Sequence, residues 1–199
     1  MSFDYRRREI LALAMGALAT GAPVGAAAQS AAQARALVDR IVADINAVIA
    51  SGKSEAAMIR DFEGIFDRYA DVPIIARYAL GVEARRASAD QLRRFTEAFR
   101  GYIARRYGRR FREFIGGRVE VQGEREIPRG IQVETLAILQ GQSPFRVDFH
   151  VSDASGKVLF FNVIIEGIDM LLSERTEMGA MLDARRGDLD ALIVAVKEI

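Results

Sequence analysis

Residues 158–165 read Val-Leu-Phe-Phe-Asn-Val-Ile-Ile, uncharged and with Asn162 as the one polar side chain. Leu159, Phe161, Val163 and Ile165 fall on one alternating face, and Val158, Phe160 and Ile164 on the other. A strand with one face in water shows polar residues at every second position. This segment therefore predicts a strand covered on both faces, and in a chain this short the second cover is a helix layer or an apolar ligand. Glu166-Gly167 ends the strand, and the segment after it reads as a helix carrying Arg175.

The remaining elements follow from periodicity and punctuation. Leu37, Ile41, Ile45 and Ile49 recur about every fourth residue, which predicts a helix from Ala32 to Ala50. A second helix is expected from Ser54 to Tyr69. Asp71 has the chemistry of an N-cap, with Pro73 in the first turn of a short helix ending at Leu80-Gly81. Ser88-Ala89-Asp90-Gln91 has capping-box spacing and opens the longest helix, whose apolar stripe drifts after Gly108 and predicts a bend there. Strands are expected over Arg118–Gly123, Ile131–Gln140, Phe145–Ser152 and Lys157–Ile165, joined by turn-rich connectors, with helices over Ile168–Asp183 and Asp188–Glu198 closing the chain. The fold class is α+β, a four-stranded antiparallel meander with several helices packed on one face.

The N-terminus bears on location. Arg6, Arg7 and Arg8 precede an uncharged, Ala- and Gly-rich run from Ile10 to Ala28. Pro23 interrupts the run, and Ala26-Ala27-Ala28 supplies small residues for a signal peptidase, so residues 1–28 read as a cleavable Sec or twin-arginine leader. The rest, 29–199, is enough for one domain with its own core. Arg6, Arg7, Arg8, Asp4 and Glu9 leave with the leader, which takes 28 basic and 27 acidic side chains to 25 of each. A neutral domain is not a general polyanion binder. Cysteine is absent, which excludes disulfides and thiolate metal sites.

Several motifs taken together resemble the MlaC (toluene-tolerance) family of periplasmic phospholipid-binding proteins. Asn162 through Arg175 is similar to that family's strand, its Glu-Gly turn and the helix that follows. Ala76-Arg77-Tyr78-Ala79-Leu80-Gly81, Arg85, Ala87-Ser88-Ala89-Asp90-Gln91, Phe95, Phe99, Tyr107 and Gly187-Asp188-Leu189-Asp190 resemble its other signatures. Asn162 stands where the family has Asp, Asp169 where it has Ser, and Glu174 where Tyr precedes Arg175. The resemblance implies a carrier that buries phospholipid acyl chains in an apolar cavity within 29–199. It also implies transfer of lipid between an inner-membrane ABC transporter complex and an outer-membrane lipoprotein complex, with no enzyme activity and no cofactor. Physical chemistry is consistent with this: a buried methylene contributes about 0.8 kcal/mol, so a sixteen-carbon chain contributes roughly 12 kcal/mol.

The expected lipid-binding residues are Phe66, Ile75, Tyr78, Phe95, Phe99 and Tyr102 on helices, with Leu136, Ile138, Phe149, Phe161 and Val163 on strands. Periodicity does not separate a cavity wall from ordinary core at any one of them.

Charge and the single histidine set the other expectations. Eleven arginines lie between Arg85 and Arg118 against Asp90, Glu97 and Glu113, a local net of +8. Solvated helix faces account for most of them, nucleic-acid binding is the sharp reading, and a basic patch for anionic lipid heads or acidic partners lies between. A neutral, exported domain argues against nucleic acid. The alternative function is an isomerase- or dehydratase-like enzyme with a cone-shaped apolar pocket, for which His150 and Asp148 would be the candidates. Both alternate with the apolar face of Phe145, Val147, Phe149 and Val151, which places them toward solvent. Arg175 is expected to pair with Glu166 or Glu177, or to lie near a lipid headgroup.

Overall fold

The structure, a computed structural model, describes residues 24–108 and 114–199, with side chains from Ser30 onward. The described helices are α1 (Val24–Ile49), α2 (Glu55–Tyr69), α3 (Val72–Leu80), α4 (Ala89–Gly108), α5 (Met170–Asp183) and α6 (Leu189–Glu198). The strands are β1 (Arg118–Ile127), β2 (Gly130–Ile138), β3 (Phe145–Ser152), β4 (Leu159–Ile165) and β5 (Ile168–Asp169). The leader read in residues 1–28 lies outside the described residues up to position 23. Phe111 and the bend expected after Gly108 lie outside them as well. The helix expected from Ala32 is already present at Val24, the first described residue, since the alanines ahead of Ala32 favour helix.

Local chemistry explains where the helices start. Asp71 Oδ1 accepts from the Ile74 amide at 3.3 Å, and Gly81, at φ 62°, ends α3. At α4 the capping box is reciprocal: the Gln91 amide donates to Ser88 Oγ and the Ser88 amide to Gln91 Oε1, each at 3.1 Å. Arg105 of α4 donates to the carbonyls of Val196 and Lys197 at 3.2 Å, satisfying orphan acceptors at the C-terminal end of α6.

The sheet is an antiparallel meander in the order β1-β2-β3-β4-β5. It has five strands where four were expected, since β5 spans two residues, too few for a periodic signal. Glu166 and Gly167, at φ 49° and 79°, form the two-residue turn between Ile165 and Ile168. Positive φ at both positions matches the twist of the flanking strands. β1 runs on to Ile127, past the expected end at Gly123, because Glu124, Arg125 and Glu126 still pair with β2 despite their charge.

Two bulges reset which residues face the helices. One lies between Val121 and Gly123. In the other, His150 pairs with Asn162 and Val151 with Phe160, leaving Phe161 as the extra residue. Simple alternation would place Phe160 opposite Val163. Instead the Phe160 ring lies 6.0 Å from Phe66 on α2 and 5.7 Å from Phe149, the partner of Val163. One extra residue changes the face of everything beyond it. Part of the doubly apolar character of residues 158–165 therefore has a local cause.

Helix α1 lies along β1 and β2, while α3 and α5 meet β4. The Asn46 side chain of α1 exchanges hydrogen bonds with both backbone groups of Val119, at 2.9 and 3.0 Å. The alternate face of β2 and β3 is not a simple wetted surface. Asp148, expected toward solvent, is buried: its Oδ2 accepts from Gln132 at 2.8 Å and Arg146 at 2.9 Å. His150 is half-buried against the Phe161 ring at 5.9 Å. Neighbouring side chains, Gln132 and Arg146 on Asp148 and Phe161 on His150, help remove these two groups from water.

Candidate functional site

A pocket of about 270 Å³ opens where the helices meet the sheet. Helices α1 and α2 contribute Ile41, Ile45, Phe62, Ile65 and Phe66; Ile75 of α3, Ile103 and Tyr107 of α4, and Phe114 extend the wall. From the sheet come Val119, Phe145, Val147, Phe149, Phe160, Phe161, Val163 and Ile165, and Met170 and Leu171 close the side nearest α5. The polar contributors are Asn162, Glu174 and the Tyr107 hydroxyl.

Of the residues expected from sequence, Phe66, Ile75, Phe149, Phe161 and Val163 are brought together in this wall. The others lie elsewhere. Phe95, Phe99 and Tyr102 are buried on α4, Phe99 lying 5.6 Å from the Phe95 ring and 6.0 Å from that of Tyr102. Tyr78 lies under the Arg175 guanidinium at 5.2 Å. That contact takes the place of the expected pair with Glu166 or Glu177, and Glu166 Oε1 instead accepts from the Arg146 amide at 2.5 Å. Leu136 stands opposite Glu120 and Arg146, and Ile138 opposite Arg118, in rows that alternate with the buried Thr135 and Ala137. β2 carries apolar residues in both rows, so sequence alternation alone did not tell them apart.

Arg109, Arg110 and Arg112 of the basic segment lie outside the described residues; several of its other arginines have individual partners. Arg94 bridges Asp90 at 2.7 Å and Asp190 at 2.6 Å, Arg100 reaches Asp67 at 3.0 Å, and Arg118 reaches Glu120 at 2.6 Å. These are exposed pairs of small energetic weight.

Glu174 gives the pocket its chemical asymmetry. It is 3 % exposed, and its Oε1 accepts a short hydrogen bond from the Tyr107 hydroxyl. Arg106 Nε lies 3.4 Å from the same oxygen, and Arg106 Nη1 donates to the Tyr102 hydroxyl at 2.6 Å. Burial, reinforced by the Glu174 carboxylate, raises the pKa of both Tyr102 and Tyr107 above the ordinary phenol value, so both remain protonated. Glu174 Oε2 is buried with no hydrogen-bond partner among the described residues. The sequence carried a signal for this: Glu174 interrupts an apolar stripe between Leu171 and Met178, at i+3 from one and i−4 from the other. Among the described residues no cluster of His, Asp or Glu could hold a metal ion.

With this geometry in place, the chain can be compared with known proteins. A family profile described as MlaC protein matches residues 35–198. No curated protein matches. A solved phospholipid-binding protein from Ralstonia solanacearum, in complex with a phospholipid, superposes with a TM-score of 0.71. The match is 17 % identical and covers 83 % of this chain and 96 % of that one, a likeness of fold.

Proposed function

The chain belongs to the MlaC protein family, and on that premise we propose that it is a periplasmic phospholipid carrier that holds acyl chains in the pocket between sheet and helices. The observation that carries this reading is the composition of the wall. Aliphatic and aromatic side chains from five helices and three strands converge on one space, with polar groups confined to Asn162, Tyr107 and Glu174. Such a surface stays exposed to water unless an apolar ligand fills it, and each methylene inserted contributes about 0.8 kcal/mol. Its volume exceeds the roughly 150 Å³ at which an apolar cavity binds benzene.

The phospholipid-bound relative of the same fold supports the ligand class. The family likeness extends the reading to transfer of lipid between an inner-membrane transporter complex and an outer-membrane complex. The leader-like residues 1–28 support a periplasmic location. An enzymatic reading would place His150 against the bound molecule, yet His150 is not part of the pocket wall.

The test is native mass spectrometry of protein purified from its own host, followed by organic extraction. Phospholipid should be found at near-stoichiometric amounts with mixed headgroups. Protein free of lipid that also fails to take it up from vesicles would sink the reading.

A further inference from the structure

We infer that the surface formed by Val82, Ile168, Leu172 and Arg175 is a docking patch that seats the protein on an anionic bilayer beside its pocket. The inference rests on the phospholipid reading above and adds to it the surface by which the carrier meets a membrane.

The patch begins at the pocket. Ile168 pairs with Ile165, and both Ile165 and Met170 line the pocket and are partly exposed themselves. Ile168 is 60 % exposed, and Leu172, whose amide donates to the Asp169 cap, is 54 % exposed. Arg175 follows Leu172 by three residues on α5, which puts the two on one face. Its guanidinium lies over the Tyr78 ring at 5.2 Å and beside Gly81, where an added Cβ would stand 3.3 Å from Nη2. Val82, the next residue, is 58 % exposed. Three of the six large apolar side chains exposed among the described residues thus adjoin one guanidinium. Scattered singly, such side chains need no explanation; gathered beside a cation, they form an amphipathic surface.

Charge selects the occupant. Among the described residues Arg175 has no carboxylate partner, and neither do Arg77 and Arg85, four residues to either side of Gly81, whereas Arg86, Arg94, Arg100 and Arg106 are each paired. The nearby acids are engaged elsewhere: Glu83 with Arg86 at 3.0 Å, Glu166 with the Arg146 amide, and Asp169 with Asn162 and the Leu172 amide. Glu177, two residues past Arg175, points off another face of the helix. Unneutralised guanidinium groups beside exposed aliphatic side chains match a surface that offers phosphates and, just beneath them, acyl chains. An acidic protein face would answer the arginines but leave Ile168, Leu172 and Val82 uncovered.

The test is sedimentation of the purified protein with sucrose-loaded vesicles of phosphatidylcholine, alone or in a two-to-one mixture with phosphatidylglycerol. Binding to the mixed vesicles should be at least about fivefold stronger, the contribution of one arginine at an anionic surface, and should weaken with added salt. Ile168→Ser combined with Leu172→Ser should lower binding to the mixed vesicles by about tenfold. Arg175→Gln should lower it about fivefold and Arg175→Lys should restore most of that. If Arg175→Gln disturbs the fold, the salt series and the double variant at the two exposed apolar positions carry the test. No binding to either vesicle, equal binding to both, or wild-type binding by the double variant would overturn the patch. Organic extraction of the same protein keeps the two readings apart. Pocket lipid without vesicle binding sinks the patch alone, and vesicle binding without pocket lipid sinks the carrier reading alone.

Discussion

Asn162 and Asp169 face each other across the turn that joins β4 to α5, with Asn162 Nδ2 donating to Asp169 Oδ1 at 3.0 Å. Asn162 Oδ1 meanwhile accepts from the buried Leu171 amide at 3.0 Å, and Asp169 Oδ1 caps α5 through the Leu172 amide at 2.9 Å. These are two of the positions at which the sequence departs from the family pattern, and in space they are one pair. Asn162→Asp alone should destabilise the fold by about 1–3 kcal/mol, because a donor is replaced by an acceptor that meets a second carboxylate. Adding Asp169→Ser should recover most of that loss, since serine both caps the helix and donates to the carboxylate introduced across the turn. Urea unfolding of the single and double variants measures the coupling. Additive losses would show that the pair is not a unit.

Val163 lines the pocket and pairs with Phe149 in the sheet. In Val163→Asp the carboxylate can be hydrated once lipid is absent. A cooperative thermal transition and unchanged circular dichroism are expected, with co-purified phospholipid reduced at least several-fold. Aggregation or non-cooperative melting would instead mark Val163 as closed core, where an unpaired charge cannot be tolerated.

Phe99 is fully buried and lies away from the pocket wall. Phe99→Ala should cost about 3–5 kcal/mol of stability through the cavity it leaves. Lipid bound per folded molecule should not change. Thermal unfolding and lipid extraction on the same sample separate these effects.

His150 is half-buried, and desolvation lowers its pKa below the ordinary 6.5. The folded state therefore binds its proton less readily than the unfolded chain. The stability that the neutral imidazole contributes is present above pH 6.5 and is lost as pH falls through the lower folded-state value. His150→Asn should flatten the stability profile across that acidic window. Denaturant unfolding at a series of pH values shows this as a wild-type advantage that shrinks on acidification. An advantage independent of pH would contradict it.

How far the chain could be read in advance depended on whether a signal was local. The Ser88–Gln91 box, the Asp71 cap and the β3 boundaries all lie within a few residues of their cause, and the structure has them where the sequence put them. The β5 pair was too short to register, and the charges of Glu124–Glu126 masked the end of a strand that pairs with the adjacent β2. Phe161 shows the deeper reason. A bulge depends on pairing with β3, not on the sequence of β4, so alternation set Phe160 apart from Val163, whereas the register brings it beside Phe149 and into the same wall as Phe161 and Val163. The pocket wall suffers from a different ambiguity. Ile41 and Ile45 belong to a stripe that looks the same against packed core as against an open space, whereas Glu174 was legible as a charge on an apolar stripe.

The attachments along the far side of β4 also govern what the molecule does in company. The Phe160 carbonyl accepts from the Asp71 amide at 2.8 Å, and Ile164 and Ile165 pair with Asp169 and Ile168. Spaced along a strand of seven residues, these contacts leave no length of rim on which another chain could lay a strand. Growth of the sheet from copy to copy is confined to β1, where Arg118, Glu120, Glu124, Arg125 and Glu126 and a bulge meet any incoming backbone. A protein with an open apolar pocket is thereby protected from polymerising through its own sheet edges.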